Sequence, residues 1–200
     1  VAQFVEDLGD PDAVENDVPA LLLDRGCSEA FSDDVQKASR RIQSAVSRRG
    51  PDLRGRADLR GKLILTIDPA TAHDYDDAVS IESLPGNRWK LGVHIADVAA
   101  FVEPGSDVDR EALRRGNSTY LVDRVIRMLP KDLTVRVCSL LPGEDHLAHT
   151  VELVYDDRGH VLEARTFRSI IRARAILTYE QVQEFFDSGR FEGAAEDLRA

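Results

Sequence analysis

Apolar and polar residues alternate along two parts of the chain in the pattern that predicts β-hairpins. In the first part, residues 78–82 and 88–96 flank the turn-forming sequence LPGN. In the second, residues 147–155 and 160–176 flank the polar turn DDRG. A short apolar run over residues 63–67 predicts a further strand, which precedes the first hairpin. Together these segments predict a sheet in which antiparallel pairing predominates.

Capping residues and helical periodicity predict four helices around these strands. Residues 17–25 form a short candidate, with Asp17 as a possible N-cap and Gly26 after its end. Ser32 is placed to cap a longer helix that ends at Gly50-Pro51. Its apolar face comprises Val35, Ala38, Ile42, Ala45 and Val46.

The other two helices follow capping-box patterns. Ser106 with Asp109 predicts a helix over residues 107–115, and Thr178 with Gln181 predicts one that runs to about Ser188. Helices interspersed among hairpins indicate an α+β fold with a mixed, largely antiparallel sheet and flanking helices.

Composition narrows the class of protein. Of 200 residues, 42% are hydrophobic, which is enough to form a core, and no apolar run is long enough to span a membrane. Cys27 and Cys138 are the only cysteines, and they are far apart, so we expect free thiols in a cytoplasmic protein. The net charge of −10 argues against non-specific affinity for nucleic acid.

The charge is unevenly distributed. Residues 1–34 carry ten acidic side chains against one arginine, whereas residues 37–62 carry nine Lys or Arg against two acids. A basic segment before an acidic loop would suit a polyanion that meets a bound cation. A solvated, Arg-rich helix face explains the same segment, and for this segment alone it is the better explanation.

Four carboxylates occur within ten residues, between two strand-like segments, in the spacing D-x5-D-x-D-D. Carboxylates this close repel one another unless a cation compensates them. Oxygen ligands without nearby Cys or His suit a hard ion, Mg²⁺ or Mn²⁺. The spacing therefore predicts a metal site, whose candidate ligands are Asp68, Asp74, Asp76 and Asp77.

Three alternatives remain open from the residues alone. The acidic stretch could be a solvated turn or a structural Ca²⁺ loop, although the EF-hand pattern is absent. His94 and Asp97 could be further ligands, but a single His in an apolar strand is more often a core residue. Tyr120, near Arg124 and Arg127, could stack on a nucleobase beside phosphate-binding arginines, or could be an ordinary surface residue.

Several blocks of the sequence, in unbroken order, resemble the catalytic RNB domain of the ribonuclease II and ribonuclease R family. They are TIDPATAHDYDDAVSIE, WKLGVHIADVAAFVEPGS, DREALRRGNSTYLVDRVIRMLP and CSLLPGEDHLAHTVE, followed by LTYEQVQ. The resemblance covers roughly residues 59–184. It implies a processive, Mg²⁺-dependent 3′→5′ exoribonuclease that hydrolyses single-stranded RNA to nucleoside 5′-monophosphates, with Mn²⁺ as an alternative ion.

The resemblance also implies roles for individual residues. The four active-site aspartates of the family fall on Asp68, Asp74, Asp76 and Asp77, with Asp76 essential to cleavage. The tyrosine that packs against the 3′-terminal nucleotide falls on Tyr120. Residues 17–200 would then form the N-terminal portion of the catalytic domain, and residues 1–16 a linker or the tail of a preceding RNA-binding module.

The family pattern extends beyond this chain, because its second half supplies further residues, including an active-site arginine. We therefore expect the isolated chain to be weakly active or inactive. The expected partners are the 3′ end of single-stranded RNA and an RNA-decay assembly, with no membrane. The alternative function is that of a catalytically inactive, RNB-like RNA-binding regulator. The intact set of four aspartates argues against this alternative.

Overall fold

The computed structural model describes residues 7–10, 13–26, 28–50, 52–121 and 124–189. Its main feature is a seven-stranded sheet in the order β1-β8-β7-β4-β3-β2-β9. The strands are β1 (Ala57–Asp58), β2 (Leu65–Asp68), β3 (Asp77–Leu84), β4 (Arg88–Ala96), β7 (His146–Tyr155), β8 (Val161–Ile171) and β9 (Ala175–Thr178). A separate two-stranded ribbon consists of β5 (Thr119–Tyr120) and β6 (Val125–Ile126).

Five helices accompany the sheet in the described part of the chain. They are α1 (Asp17–Asp24), α2 (Asp33–Arg49), α3 (Asp107–Arg115), α4 (Lys131–Leu133), which continues as a π-helical turn (Thr134–Cys138), and α5 (Tyr179–Ser188). Single 3₁₀ turns precede α1 and follow β4. None of the helices in the described ranges is long and apolar enough to cross a membrane.

Pairing within the sheet is antiparallel except at its two ends. β1 pairs with β8 and β2 pairs with β9 in parallel, whereas β3, β4, β7 and β8 form continuous antiparallel ladders. The predicted α+β fold, with a mixed and largely antiparallel sheet, is therefore confirmed.

The predicted helix caps are largely present. The Ser32 hydroxyl accepts from the backbone N–H of Val35, and the Thr178–Gln181 capping box is complete. The Ser106 hydroxyl accepts from the N–H of Asp109 at 3.2 Å. Asp17 is not the N-cap of α1, because it is already the first helical residue and Asn16 precedes it.

One predicted strand is in fact two. The sequence pattern indicated a single strand over residues 160–176, but β8 ends at Ile171 and β9 begins at Ala175. β8 lies near one end of the sheet, whereas β9 pairs with β2 at the other. The chain must therefore cross from one side of the sheet to the other between β8 and β9. This crossing divides the segment into two strands, although its composition favours one continuous strand.

The core lies between one end of the sheet and the helices α2, α3 and α4. Small residues of neighbouring strands, Ala78, Ala96 and Ala148, pack there against larger side chains from the helical side. Those larger side chains include Val35, Val108, Leu133 and Leu140. The small side chains let helices approach the sheet closely at the end where β3 begins, next to the acidic loop.

Candidate active site

The acidic loop between β2 and β3 is held by backbone hydrogen bonds to a buried segment. The N–H of Tyr75 donates to the Ser139 hydroxyl at 3.0 Å, and the carbonyl of Tyr75 accepts from the N–H of Leu140 at 2.8 Å. Ser139 and Leu140 are fully buried. The middle of the loop is therefore fixed to the core, and this attachment holds the backbone of Asp74 and Asp76, on either side of Tyr75, in a defined position.

Strand pairing brings the two ends of the loop together. Leu65 pairs with Val79 in antiparallel register, so the same register continued along the strands sets Asp68 opposite Asp76. The carbonyl of Asp76 also accepts from the N–H of Ala96 at 2.9 Å, which extends the β3–β4 ladder by one residue. Strand pairing thus brings Asp68 close to Asp76, although the loop separates them in the sequence.

Burial and mutual repulsion raise the pKa values of two carboxyl groups of the loop. Burial raises the pKa of Asp68, and the charges of Asp77, Asp76 and Asp74 raise it further. The pKa of Asp76 is raised by burial and then by Asp74 and Asp77, whereas Arg127 opposes the shift. Each of these two carboxyls is thus harder to ionise than an ordinary Asp unless a cation is present.

One oxygen atom of the candidate ligands is particularly suited to bind a cation. The Oδ2 atom of Asp68 is buried and has no hydrogen-bond partner among the described residues. A buried carboxylate oxygen left without a partner is costly, and a metal ion is one way to satisfy it. With the side chains as they stand, no three His, Cys, Asp or Glu groups in the described ranges converge to hold one ion. The assignment of Asp68, Asp74, Asp76 and Asp77 as ligands therefore stays a prediction.

Arg127 contacts the acid cluster directly. Its Nη1 atom donates to Oδ2 of Asp74 at 2.5 Å, and the two side chains are 23% and 22% exposed. The sequence suggested Arg127 only as a possible phosphate-binding neighbour of Tyr120. Nothing in the sequence linked it to Asp74, which is 53 positions away.

The β5–β6 ribbon carries Tyr120, and Arg127 follows the end of the ribbon directly. Tyr120 pairs with Val125, and its side chain is 74% exposed. Arg127 lies two residues after Val125 and contacts Asp74. Arg124 contacts a different part of the chain, because its Nη1 donates to Glu29 at 2.6 Å. The ribbon and the residue that follows it therefore supply an exposed aromatic ring and a guanidinium group that reaches the aspartates.

A pocket of about 260 Å³ opens beside Asp76. Its lining is mainly apolar and combines the end of β4 and the turn after it with residues on both sides of the ribbon: Ile95, Ala96, Val98, Ser118, Met128, Leu129, Thr134 and Cys138. The carboxylate thus lies at the edge of a cavity large enough for part of a nucleotide.

His94 and Asp97, the other candidate ligands, are engaged in structural contacts. His94 is fully buried and forms hydrogen bonds with the hydroxyls of Ser80 (3.0 Å) and Thr150 (2.9 Å). Asp97 accepts from Arg56 at 2.6 Å in a pair that is almost fully buried. Both contacts support the core interpretation of these residues.

Cys138 is a free, buried thiol, as expected. Burial raises its pKa to about 12, with smaller contributions from Asp76 and Asp97, so the thiol stays protonated at neutral pH. Cys27 lies outside the described residues.

Comparison with known proteins decides the family. Residues 56–199 match the RNB domain. The chain belongs to the RNB domain family. The predicted family is therefore confirmed, and the match contains the acidic loop, the β5–β6 ribbon and every strand of the main sheet.

Among curated relatives, ribonuclease R of Thermotoga maritima is 42% identical over 188 residues. That alignment covers 93% of this chain and 26% of the relative. The chain thus spans about a quarter of the length of this ribonuclease R, so it corresponds to a partial RNB region.

Solved structures agree with the fold. Ribonuclease R of Mycoplasma genitalium, in complex with ribose-methylated single-stranded RNA, matches with a TM-score of 0.84 and 26% identity. The match covers 96% of this chain and 30% of that one. Yeast Ssd1, a pseudonuclease, has a TM-score of 0.63 at 24% identity over 69% of this chain and 17% of its own, and it shows the shared fold alone.

Proposed function

We propose that this chain is the aspartate-bearing part of the catalytic domain of a 3′→5′ exoribonuclease. The substrate is single-stranded RNA, and the products are nucleoside 5′-monophosphates. One observation carries the proposal: a chain of the RNB domain family places four aspartates in and beside one loop, and a buried oxygen of Asp68 has no hydrogen-bond partner among the described residues. Such a cluster is a poor structural element, since it is destabilising until a cation binds.

The donor set favours Mg²⁺, with Mn²⁺ as an alternative, because all the candidate ligands are carboxylate oxygens. Asp68, Asp74, Asp76 and Asp77 would hold the ion or ions. When bound, Mg²⁺ would supply Lewis-acid polarisation of the terminal phosphodiester and would lower the pKa of an attacking water molecule.

The protein itself contributes position and shape. The hydrogen bonds of Tyr75 to Ser139 and Leu140 fix the backbone of the acidic loop, so rotation of the carboxylate side chains is the rearrangement that brings them onto an ion. The mainly apolar pocket beside Asp76 is suited to the sugar or base of the last nucleotide. Tyr120, exposed on its ribbon, is suited to stacking on a terminal base. None of these contacts reads a base edge, and low sequence specificity follows.

We also propose a domain assignment, which the partial coverage of the relatives supports. Residues 17–200 would form the N-terminal portion of the catalytic domain, and residues 1–16 a linker or the tail of a preceding RNA-binding module. The whole protein acts in the cytoplasm, in RNA degradation and within an RNA-decay assembly. Its remaining parts supply much of the affinity for RNA, because this portion is acidic.

The second candidate function is that of an RNA-binding regulator without hydrolysis. The fold likeness to a pseudonuclease motivates this alternative. The four aspartates argue against it, since a protein that only binds RNA gains nothing from clustered negative charge near a phosphate.

The test is the polarity of degradation by the full-length protein. Single-stranded RNA labelled at its 5′ end is incubated with the protein and Mg²⁺, and the products are separated by length. A 3′→5′ exoribonuclease shortens the labelled RNA progressively from its unlabelled end, and EDTA stops the reaction. Binding of the same RNA without any shortening supports the regulator and contradicts the exoribonuclease.

A further inference from the structure

Arg127, at the edge of the acid cluster, has hydrogen-bond donors that its contact with Asp74 does not use. A guanidinium group carries five N–H donors, and the described contact with Asp74 uses one of them. The other donors have no partner within the part of the chain that the structure describes. The side chain is 23% exposed, so those donors are open to a ligand.

The position of Arg127 relative to Tyr120 points to the identity of the ligand. Tyr120 pairs with Val125, and Arg127 lies two residues after Val125, directly beyond the end of β6. The two side chains therefore start from neighbouring positions at one end of the ribbon, as the base and the phosphate of one nucleotide are neighbouring groups. An aromatic ring that stacks on a terminal base would therefore set the adjacent phosphate beside the guanidinium group.

The negative charge of the acid cluster also favours a phosphate-binding role for Arg127. A phosphodiester that approaches four carboxylates is repelled on the side that no metal ion shields. Arg127 is the cation that already meets the cluster, and a guanidinium group can hold a carboxylate on one edge and a phosphate on the other.

We propose that Arg127 binds the 3′-terminal phosphodiester of the RNA while it remains paired with Asp74. This inference rests on the proposed function and deepens it, because it assigns a further substrate-binding residue to the same site. Arg127 would neutralise the phosphate on its ribbon side and hold it against the aspartates.

A purely structural role for Arg127 is a weaker explanation. The ribbon already has strand pairs at Thr119–Ile126 and Tyr120–Val125, and the N–H of Met128 donates to the Ser118 hydroxyl at 3.0 Å. A salt bridge that remains partly exposed adds little to stability. Arg124, on the same ribbon but paired with Glu29, provides a matched control for the loss of one positive charge.

The experiment is a cycle of changes in protein and RNA. The full-length protein carries Asp76→Asn to prevent turnover, and its affinity for a labelled single-stranded RNA is measured in Mg²⁺. Arg127→Gln and Arg124→Gln are each compared with that parent. The RNA is used with an ordinary last phosphodiester or with a neutral methylphosphonate in its place.

The expected result is non-additive. Neutralising the last linkage weakens binding to the parent by roughly tenfold, as loss of a charge-assisted hydrogen bond would. Arg127→Gln weakens binding of the ordinary RNA by a similar factor and makes the penalty for the methylphosphonate several-fold smaller, and the penalty that remains arises at the metal ion. Arg124→Gln retains the parent's preference for the ordinary RNA over the methylphosphonate RNA. Because the comparison of two RNAs is made on one protein, a folding defect cannot imitate this pattern.

Two other outcomes overturn the inference. If Arg127→Gln retains the full penalty for the neutral linkage, Arg127 does not touch that phosphate, although the exoribonuclease proposal survives. If the unmutated protein neither binds nor shortens RNA, the proposed function fails and the inference fails with it.

Discussion

The backbone N–H of Tyr75 donates to the hydroxyl of buried Ser139, 64 positions later in the chain, at 3.0 Å. This single hydrogen bond joins the acidic loop to the segment between α4 and β7. A loop that carries four carboxylates tends to spread apart by repulsion, so its attachment to the core matters for the geometry of the site.

Replacement of Ser139 tests that attachment. Ser139→Ala leaves the N–H of Tyr75 without its partner, which we expect to cost about 1–3 kcal/mol in the free energy of unfolding. Urea unfolding measures this cost, and RNA hydrolysis by the full-length protein should slow as well. Ser44→Ala, at an exposed position of α2, should change neither property. Equal behaviour of the two variants would show that the hydrogen bond does not position the loop.

Acid should destabilise the domain through His94. Burial lowers the pKa of this residue to about 4, from an ordinary value of 6.5, because its contacts with Ser80 and Thr150 lie in the core. The unfolded chain takes up a proton below about pH 6.5, whereas the folded chain does so only near pH 4. The free energy of unfolding therefore falls as the pH drops through this window, by at most about 3 kcal/mol.

The pH effect is measured by urea unfolding at pH 7.5 and pH 5, for the unmutated chain and for His94→Gln. The variant is less stable at pH 7.5 but should lose less stability on acidification. His146, whose pKa is also lowered by burial, leaves a residual slope. His160→Gln, at an exposed position, serves as the control. If the free energy of unfolding falls equally on acidification in His94→Gln and in the unmutated chain, His94 is not the group that causes the loss of stability.

Metal binding should depend on Asp68, whose Oδ2 is buried and has no hydrogen-bond partner in the part of the chain that the structure describes. We expect Mg²⁺ or Mn²⁺ to raise the thermal unfolding midpoint of the protein, since a ligand that binds only the folded state stabilises it. Asp68→Asn should abolish most of this increase. The effect should also weaken at acidic pH, because protonation competes with the metal and the pKa values of Asp68 and Asp76 are raised. A metal-dependent increase that survives Asp68→Asn would place the ion elsewhere.

Tyr120 should affect the end of the reaction. Loss of a stacking contact is worth roughly 1–3 kcal/mol per base, so Tyr120→Ala should slow the last cuts or lengthen the final product. Tyr120→Phe keeps the ring and should behave like the unmutated protein. The measurement is a time course of product lengths from labelled RNA. Unaltered lengths and rates in Tyr120→Ala would make this residue an ordinary surface side chain.

The sequence predicted those parts of the fold that local patterns determine. The β3–β4 hairpin was visible because strand alternation flanks a Pro-Gly-Asn turn, and in the structure both Gly86 and Asn87 adopt positive φ. α2 and α5 were visible through Ser32 and Thr178. Local patterns also located the four aspartates, since they fall within ten residues.

The sequence could not predict relationships that only tertiary structure creates. The parallel pairing of β2 with β9 joins Leu65 to Ala175 and leaves no local pattern. The same holds for the contact of Arg127 with Asp74 and for the attachment of Tyr75 to Ser139. A buried serine and a half-exposed arginine have many ordinary explanations, so neither attracts attention before the fold is known.

The most direct test of the account is the replacement of Asp76 by Asn in the full-length protein. The change removes one negative charge from the cluster and nearly preserves the shape of the side chain. Nucleotide release from labelled single-stranded RNA in Mg²⁺ is measured beside the equilibrium affinity for the same RNA. We expect hydrolysis to be lost while binding is largely retained, because the change removes a charged carboxylate ligand of the metal ion and most binding contacts lie elsewhere. Release of mononucleotides at the unmutated rate by Asp76→Asn would contradict it.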